Sequence, residues 1–446
     1  MSEQASGQYR VYGYRWVVLA VFMLVNVTIQ MLWISYAPIT SLASTYYGVS
    51  DLAIGILAMS FMIAFIPLAL PAAWVIDTRG FRVAVGFGVV MMAVFGIARG
   101  LVGTNYTLVL LSTIGIAIAQ PFLLDSWTKV PANWFAQRER ATAVGLVTLA
   151  SMLGVALGMV LTPILADVMS IARLQLVYGL LAAATSVAFL ALARERPTTP
   201  PCPPGMDERA LMLDGLKHAL KIRPFLIMLG VAFIVMGAFN GVTTWVEQII
   251  HPRGFSPTDA GVMGALMLVA GIVGAVVLSA LSDRRGKRIR FMVLALVATV
   301  PGMLGIAFVS SIWLLYAFAA VLGFFLVAVL PIGMQYAAEV AYPTPEGTSN
   351  GLIQLCGQVS VVFVYIMAAL RTADCSFTVS LLLSAALLAV GALAVSRLKD
   401  TAPVPAGASG AAPAGRPVGE AAPGAQAVDT DVVIRADVAT VRAGKK

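Results

Sequence analysis

Charge is scarce in this chain. Only 11% of its 446 residues are Asp, Glu, Lys or Arg, against about 25% in an ordinary soluble domain. With 60% of the residues hydrophobic, a water-soluble fold could not cover its own surface. Cysteine is nearly absent too. Cys202, Cys356 and Cys375 stand far apart, so neither a disulfide framework nor a zinc-ligand spacing is supported. The two histidines, His218 and His251, fall outside the long apolar runs, which leaves no intramembrane histidine relay. Nucleophile–base sets, metal clusters and phosphate loops are lacking, so the chain reads as no enzyme and as needing no cofactor. Lys and Arg outnumber acids 29 to 21. These positives sit in short segments between apolar runs, a distribution that reports membrane orientation and not nucleic acid.

What is present is a series of runs long enough to cross a bilayer, which takes about 20 apolar residues as a helix. They run Tyr14–Ala37, Asp51–Ile76, Phe81–Val102, Thr107–Lys129, Ala141–Ala166 and Arg173–Arg194, then Arg223–Ile250, Pro257–Leu281, Ile289–Ser310, Ile312–Ala341, Gly347–Leu370 and Cys375–Arg397. The first is too long for a signal peptide and lacks a small-residue cleavage site, so it reads as a retained span. With a cytoplasmic N-terminus, 25 of the 29 positives fall inside, and only Arg99, Arg173, Arg253 and Arg371 fall outside. Both termini are therefore expected in the cytoplasm, with the protein in the plasma (cell inner) membrane.

The chain divides into an N-terminal six-helix half (1–194), a cytoplasmic central loop (195–222), a C-terminal six-helix half (223–400) and a tail (401–446). The loop opens on a proline-rich stretch and continues as a charged, helix-forming piece around Asp207–Lys221. The tail is rich in Ala, Pro and Gly and is expected to be disordered.

The halves repeat. Asp77-Thr78-Arg79-Gly80-Phe81-Arg82 follows the second span, and Asp283-Arg284-Arg285-Gly286-Lys287-Arg288 follows the eighth, 206 residues on. Thr142 and Gly145, opening the fifth span, match Thr348 and Gly351, opening the eleventh, at the same offset. Both turns resemble the loop signature of the major facilitator superfamily. Gly80 and Gly286 permit the tight turn, Asp77 and Asp283 can cap or pair, and Arg82 and Arg288 can meet helix carbonyls or phosphates. The doubled motif predicts an all-α membrane protein with two parallel six-helix repeats and a substrate held between them. Gly154, Gly158, Gly271 and Gly274 predict close helix packing in the fifth and eighth spans.

Polar side chains in spans usually face the protein interior. Asn26, Gln30 and Trp33 share one face of the first span, climbing about 10 Å at 1.5 Å per residue. Asn240, Thr243, Thr244 and Glu247 share one face of the seventh, beside Phe239, which is the repeat mate of Trp33. Gln354, Gln358 and Tyr365 mark the eleventh, Gln120 and Asp125 the fourth, and Gln335 and Glu339 the tenth. Each has a bland alternative. An amide can bridge helices, Trp33 can sit in an interfacial belt, and Glu247 can simply be hydrated. Asp125 is favoured to pair with Lys129 one turn on, and Glu339 reads as gate or structure. Asp125, Glu247 and Glu339 are otherwise the candidates for coupling or charge compensation.

A closer resemblance covers nearly the whole membrane region. Trp33-Ile34-Ser35-Tyr36, Tyr47-Gly48-Val49-Ser50, Asp77-Thr78-Arg79-Gly80, Val321-Leu322-Gly323-Phe324-Phe325 and above all Tyr342-Pro343-Thr344-Pro345-Glu346-Gly347-Thr348-Ser349-Asn350-Gly351-Leu352 resemble the feline leukaemia virus subgroup C receptor-related transporter family. That family is associated with choline and ethanolamine uptake and with heme export. The resemblance implies ligand contacts for Trp33, Gln120 and Gln358. The chain departs at Asn240, where choline-handling members carry tyrosine, and at Asp125, which replaces a small residue. A quaternary ammonium gains roughly 0.5–2 kcal/mol from each aromatic face, so the exchange at Asn240 points toward ethanolamine-like amines.

The reading is a secondary active or facilitative transporter of a small polar organic solute, working by alternating access. It is expected to function as a monomer in the bilayer, with protons as the candidate coupling ion. Heme is the alternative substrate and an organic acid a third. A non-transporting membrane sensor is the alternative of a different class.

Overall fold

The computed structural model describes residues 12–199, 218–342, 344, 346–372 and 376–400, all within the unit Met1–Pro403. Cys202, Cys375, the proline-rich stretch from Pro200, the charged piece up to Lys217 and the tail lie outside the described residues. Twelve helices long and apolar enough to cross a membrane are found among those described. They are α1 Arg15–Ile34, α2 Asp51–Arg79, α3 Phe81–Leu101, α4 Tyr106–Leu124, α5 Gln137–Val168, α6 Ile171–Leu192, α7 Arg223–Thr244, α8 Pro257–Arg285, α9 Arg288–Phe308, α10 Ile312–Val340, α11 Glu346–Val359 with its continuation Val361–Ala369, and α12 Thr378–Ser396.

Local chemistry sets where several of them begin. Ser50 accepts from the Ala53 N–H (3.3 Å) at α2, and Asn105 accepts from the Leu108 N–H (3.2 Å) at α4. Ser256 and Asp259 form a reciprocal capping box at α8, so orphan donors find partners. Large apolar side chains such as Leu70, Trp74 and Trp313 remain exposed, as a lipid-facing surface requires.

Four spans are interrupted where the sequence suggested continuity. α1 stops at Ile34, a single 3₁₀ turn spans Ala37–Ile39, and a second helix runs Thr40–Tyr47. Pro38 lacks an N–H and restricts Ala37, which accounts for the break. α4 stops at Leu124 and not Lys129, and a short helix Lys129–Trp134 follows. α7 ends at Thr244 because Trp245 leaves helical backbone (φ −100°, ψ 16°) before a helix resumes at Val246–Ile250. α11 kinks at Ser360, whose hydroxyl donates to the Gly357 carbonyl at 2.5 Å in competition with the backbone ladder.

Packing repeats between the halves. α1 lies on α5 and α6, α3 on α4 and α6, and α2 on α4; their repeat mates α7 with α11 and α12, α9 with α10 and α12, and α8 with α10 do the same. The halves meet through α5 against α8 and α2 against α11. Gly154 and Gly158 face α1, and Gly271 and Gly274 face α10. These glycines therefore seal helices inside one half. Across the halves, Gly261 of α8 admits the Met159 carbonyl of α5 at a distance no Cβ would allow.

The two loop signatures share a device that the sequence reading did not foresee. Glu195, just after α6, accepts from the Phe81 and Arg82 N–H groups (3.2 and 2.7 Å) at the start of α3. Asp400, just after α12, accepts from the Ile289 N–H (2.8 Å) at the start of α9. Each places a negative charge at a helix N-terminus. Gly80 and Gly286 hold φ of 87° and 61°, which only glycine adopts freely. Asp77 pairs with Lys129 at 3.3 Å, so the expected Asp125–Lys129 pair is not formed. Asp283 pairs with Arg288 at 2.9 Å. Arg82 is exposed.

Candidate functional site

The polar faces expected from the sequence form one group in each half. In the first half the Gln120 amide donates to Gln30 Oε1 (3.2 Å), joining α4 to α1. Asn26 is fully buried; it donates to the Phe22 carbonyl (2.9 Å) and accepts from the Trp127 indole (2.7 Å). It ties α1 to the turn that follows α4. Trp33 is buried, with its indole N–H on the Ala58 carbonyl of α2 (3.2 Å).

In the second half the Asn240 amide donates to Ser360 Oγ (3.2 Å), tying α7 to the kink in α11. Thr243 bonds to its own helix at the Phe239 carbonyl (2.8 Å), and Phe239 packs against the core. Gln358, two residues before the kink, is buried to 8% exposure and makes no hydrogen bond among the described residues. Gln120 Oε1, Asn240 Oδ1 and both amide atoms of Gln358 thus lack partners among the described residues, yet none is sealed from accessible space. Trp33, Gln120 and Gln358 share no hydrogen bond with one another. Tyr365 is 53% exposed and faces away, lining a small cavity of about 80 Å³ with Trp245, Arg371 and Phe377.

Glu247 leaves the Asn240 face because of the break at Trp245. It is fully buried and accepts from the Ser41 N–H (3.2 Å), the Ser41 hydroxyl and the Gln248 amide (2.8 Å). The expectation of a hydrated or cavity-facing carboxylate is corrected. Ser41 and Glu247 are 206 residues apart, so they occupy equivalent positions of the two repeats. Equivalent positions can touch only near the pseudo-twofold axis, and this pair closes the interface there. Beside it, Arg371 of the second half pairs with Asp51 of the first at 2.8 Å. The Trp245 ring fills the space left by Gly55 of α2, and its N–H bonds to the Val364 carbonyl (3.1 Å). Together these close the end opposite Tyr12 and Asp400, the first and last described residues, here called the distal end.

Sequence reading missed Ser41, Trp245 and the Asp51–Arg371 pair, although the 206-residue offset could have linked Ser41 to Glu247. It also missed Arg99. Although fully buried, Arg99 donates to the Leu32 carbonyl (3.2 Å) and Ser35 Oγ (3.4 Å) and lies over the Tyr36 ring. A cation at the broken C-terminus of α1 satisfies carbonyls that the break leaves unpaired. Glu339 is held by Arg288 through both oxygens, at 2.6 and 3.0 Å. Asp125 has no such partner, and its Oδ2 is buried without a hydrogen bond.

Comparison with known proteins agrees with the fold. The family model described as Major Facilitator Superfamily matches residues 18–256 and 247–434. Solute carrier family 49 member A3 of Xenopus tropicalis is 31% identical over 380 residues, covering 81% of this chain and 78% of that protein. The choline/ethanolamine transporter FLVCR1 of Felis catus is 28% identical, covering 80% and 68%. Among solved structures, a bacterial homologue of the human lysosomal transporter Spinster superposes with a TM-score of 0.63 at 14% identity, covering 87% of this chain and 98% of that one. The nucleoside transporter NupG superposes at 0.68 with 13% identity, covering 85% and 99%.

Proposed function

Because the chain belongs to the major facilitator superfamily, on the branch of the feline leukaemia virus subgroup C receptor-related transporters, we propose that the small solute it carries is an ethanolamine-like amine. The observation that carries this reading is the set of unpartnered amide oxygens on both halves: Gln120 Oε1 on α4, Asn240 Oδ1 on α7 and Gln358 Oε1 on α11. A primary ammonium presents three donors to such acceptors, whereas a trimethylammonium presents none and leaves them unpaired. Trp33 adds an aromatic face for the cation. A solute bonded to residues of both halves ties its binding to their relative rocking, which is alternating access. Heme is disfavoured, since neither His218 nor His251 lies on a span to ligate its iron.

The moving units in this reading are residues 1–194 and 223–400, and the chain works as a monomer that moves its solute without altering it. In this reading the protein lies in the plasma membrane with both termini cytoplasmic, an orientation that the excess of positives on one side supports. The sealed distal end is then extracellular, and the solute reaches the site from inside. The test is counterflow in proteoliposomes containing the full chain, preloaded with ethanolamine or with choline. Radiolabelled ethanolamine should enter ethanolamine-loaded vesicles faster than choline enters choline-loaded ones. Exchange of neither amine would remove the reading.

A further inference from the structure

Three carboxylates lie where coupling could occur, and the structure separates them. Glu247 is held by Ser41 and Gln248 at the distal seal. Glu339 is held through both oxygens by Arg288. Asp125, at the C-terminal cap of α4, makes no side-chain hydrogen bond and no ion pair. Its Oδ2 is buried and unpartnered, whereas Oδ1 is not shut off in the same way. Eight further acids whose side chains the structure describes are engaged or exposed. Asp51, Asp77, Glu139 and Asp283 are in ion pairs, Glu195, Asp259 and Asp400 cap helices, and Asp167 is exposed.

Among the described residues, the charged groups on the helices packed against α4 are engaged elsewhere or exposed. α4 packs on α1, α2 and α3. On α1, Arg15 is paired with Glu139 at 2.9 Å. On α2, Asp77 is paired with Lys129, the one cation close to Asp125 in the chain, and Arg79 is exposed. On α3, Arg82 is exposed at the near turn, and Arg99 is bound to the Leu32 carbonyl at the far end. A half-buried carboxylate whose inner oxygen is unpaired and which has no counter-ion is costly when ionised, and a proton relieves that cost.

We propose that Asp125 is an exchangeable proton-binding site that couples solute movement to proton movement. This rests on the transporter reading above. The proton enters at Oδ1, forming a neutral carboxyl, and leaves from the same oxygen to water, restoring the carboxylate.

Two measurements on the full chain in lipid test it. Infrared difference spectra between acidic and alkaline buffer should show a protonated-carboxyl band that Asp125→Asn removes and Asp125→Glu shifts. In proteoliposomes, a pH gradient should drive uphill ethanolamine accumulation by the wild type. Asp125→Asn should keep ethanolamine counterflow, which shows that it is folded, and lose the accumulation. A difference spectrum unchanged by Asp125→Asn overturns the proposal, as does accumulation by that variant equal to wild type. If the wild type exchanges no amine, the substrate reading fails and the spectra alone decide: the band lost in Asp125→Asn upholds the proton site, and its absence from the wild type rejects it.

Discussion

Removing the charge of Glu247 should weaken the distal seal without disturbing its shape. The carboxylate is fully buried and accepts three hydrogen bonds, two of them from Ser41 in the other half. A hydrogen bond to a charged group contributes about 1.5–3 kcal/mol and a neutral one about 0.5–1.5. Glu247→Gln therefore loses roughly 1–3 kcal/mol over the two bonds that cross between halves. Its new amide group also faces the Ser41 N–H or hydroxyl less favourably than an oxygen would. At 1.4 kcal/mol per tenfold, the open:closed ratio at the distal end should rise about 5- to 150-fold. Spin labels on cysteines replacing Thr104 and Ser310 report it, since both residues are exposed at that end on opposite halves. The three native cysteines are first replaced by serine. Electron–electron distance measurement should give one short distribution for the parent and a second, longer population for Glu247→Gln. Ser41→Ala, which keeps the backbone bond, should shift less. A distribution unchanged by both Glu247→Gln and Glu247→Ala would refute the argument and leave the seal to apolar packing alone.

Gly55→Val should open the same end by a different route, since any side chain there meets the Trp245 ring, which the Val364 carbonyl holds in place. Overpacking of this kind costs typically about 1–3 kcal/mol, and the same distance measurement should show the longer population. Trp33→Ala should abolish most ethanolamine exchange, whereas Trp33→Phe should keep part of it through its ring face; equal exchange by wild type and Trp33→Ala would remove the residue from the site. Asn240→Tyr should raise choline exchange relative to ethanolamine, because it removes an amide oxygen and supplies an aromatic wall. A ratio unchanged in competition assays would make Asn240 only the packing amide that its bond to Ser360 already suggests.

The fold class was legible in the sequence because a bilayer imposes a simple rule. Every span must be apolar over about 20 residues and satisfy its own backbone, and the 206-residue offset between the two loop signatures exposed the repeat without any knowledge of contacts. The pairing of Gln30 with Gln120 lay within reach too, since helical spacing put the first on a polar face and Gln120 is the one amide of the fourth span. Which carboxylate remains free was not legible. Asp125, Glu247 and Glu339 look alike as acids in apolar runs, and their fates depend on partners far away in the chain: Ser41 for one, Arg288 for another, and for Asp125 the loss of Lys129 to Asp77. Helical periodicity also failed at Trp245 and Ser360, where a local break rotates every later side chain to a new face and moves Glu247 from the expected pocket to the distal seal. Composition and period decide what crosses the membrane; which polar groups are left unpaired is decided only when the two halves and their loops come together, because a hydrogen bond is settled by distance in space and not by distance along the chain.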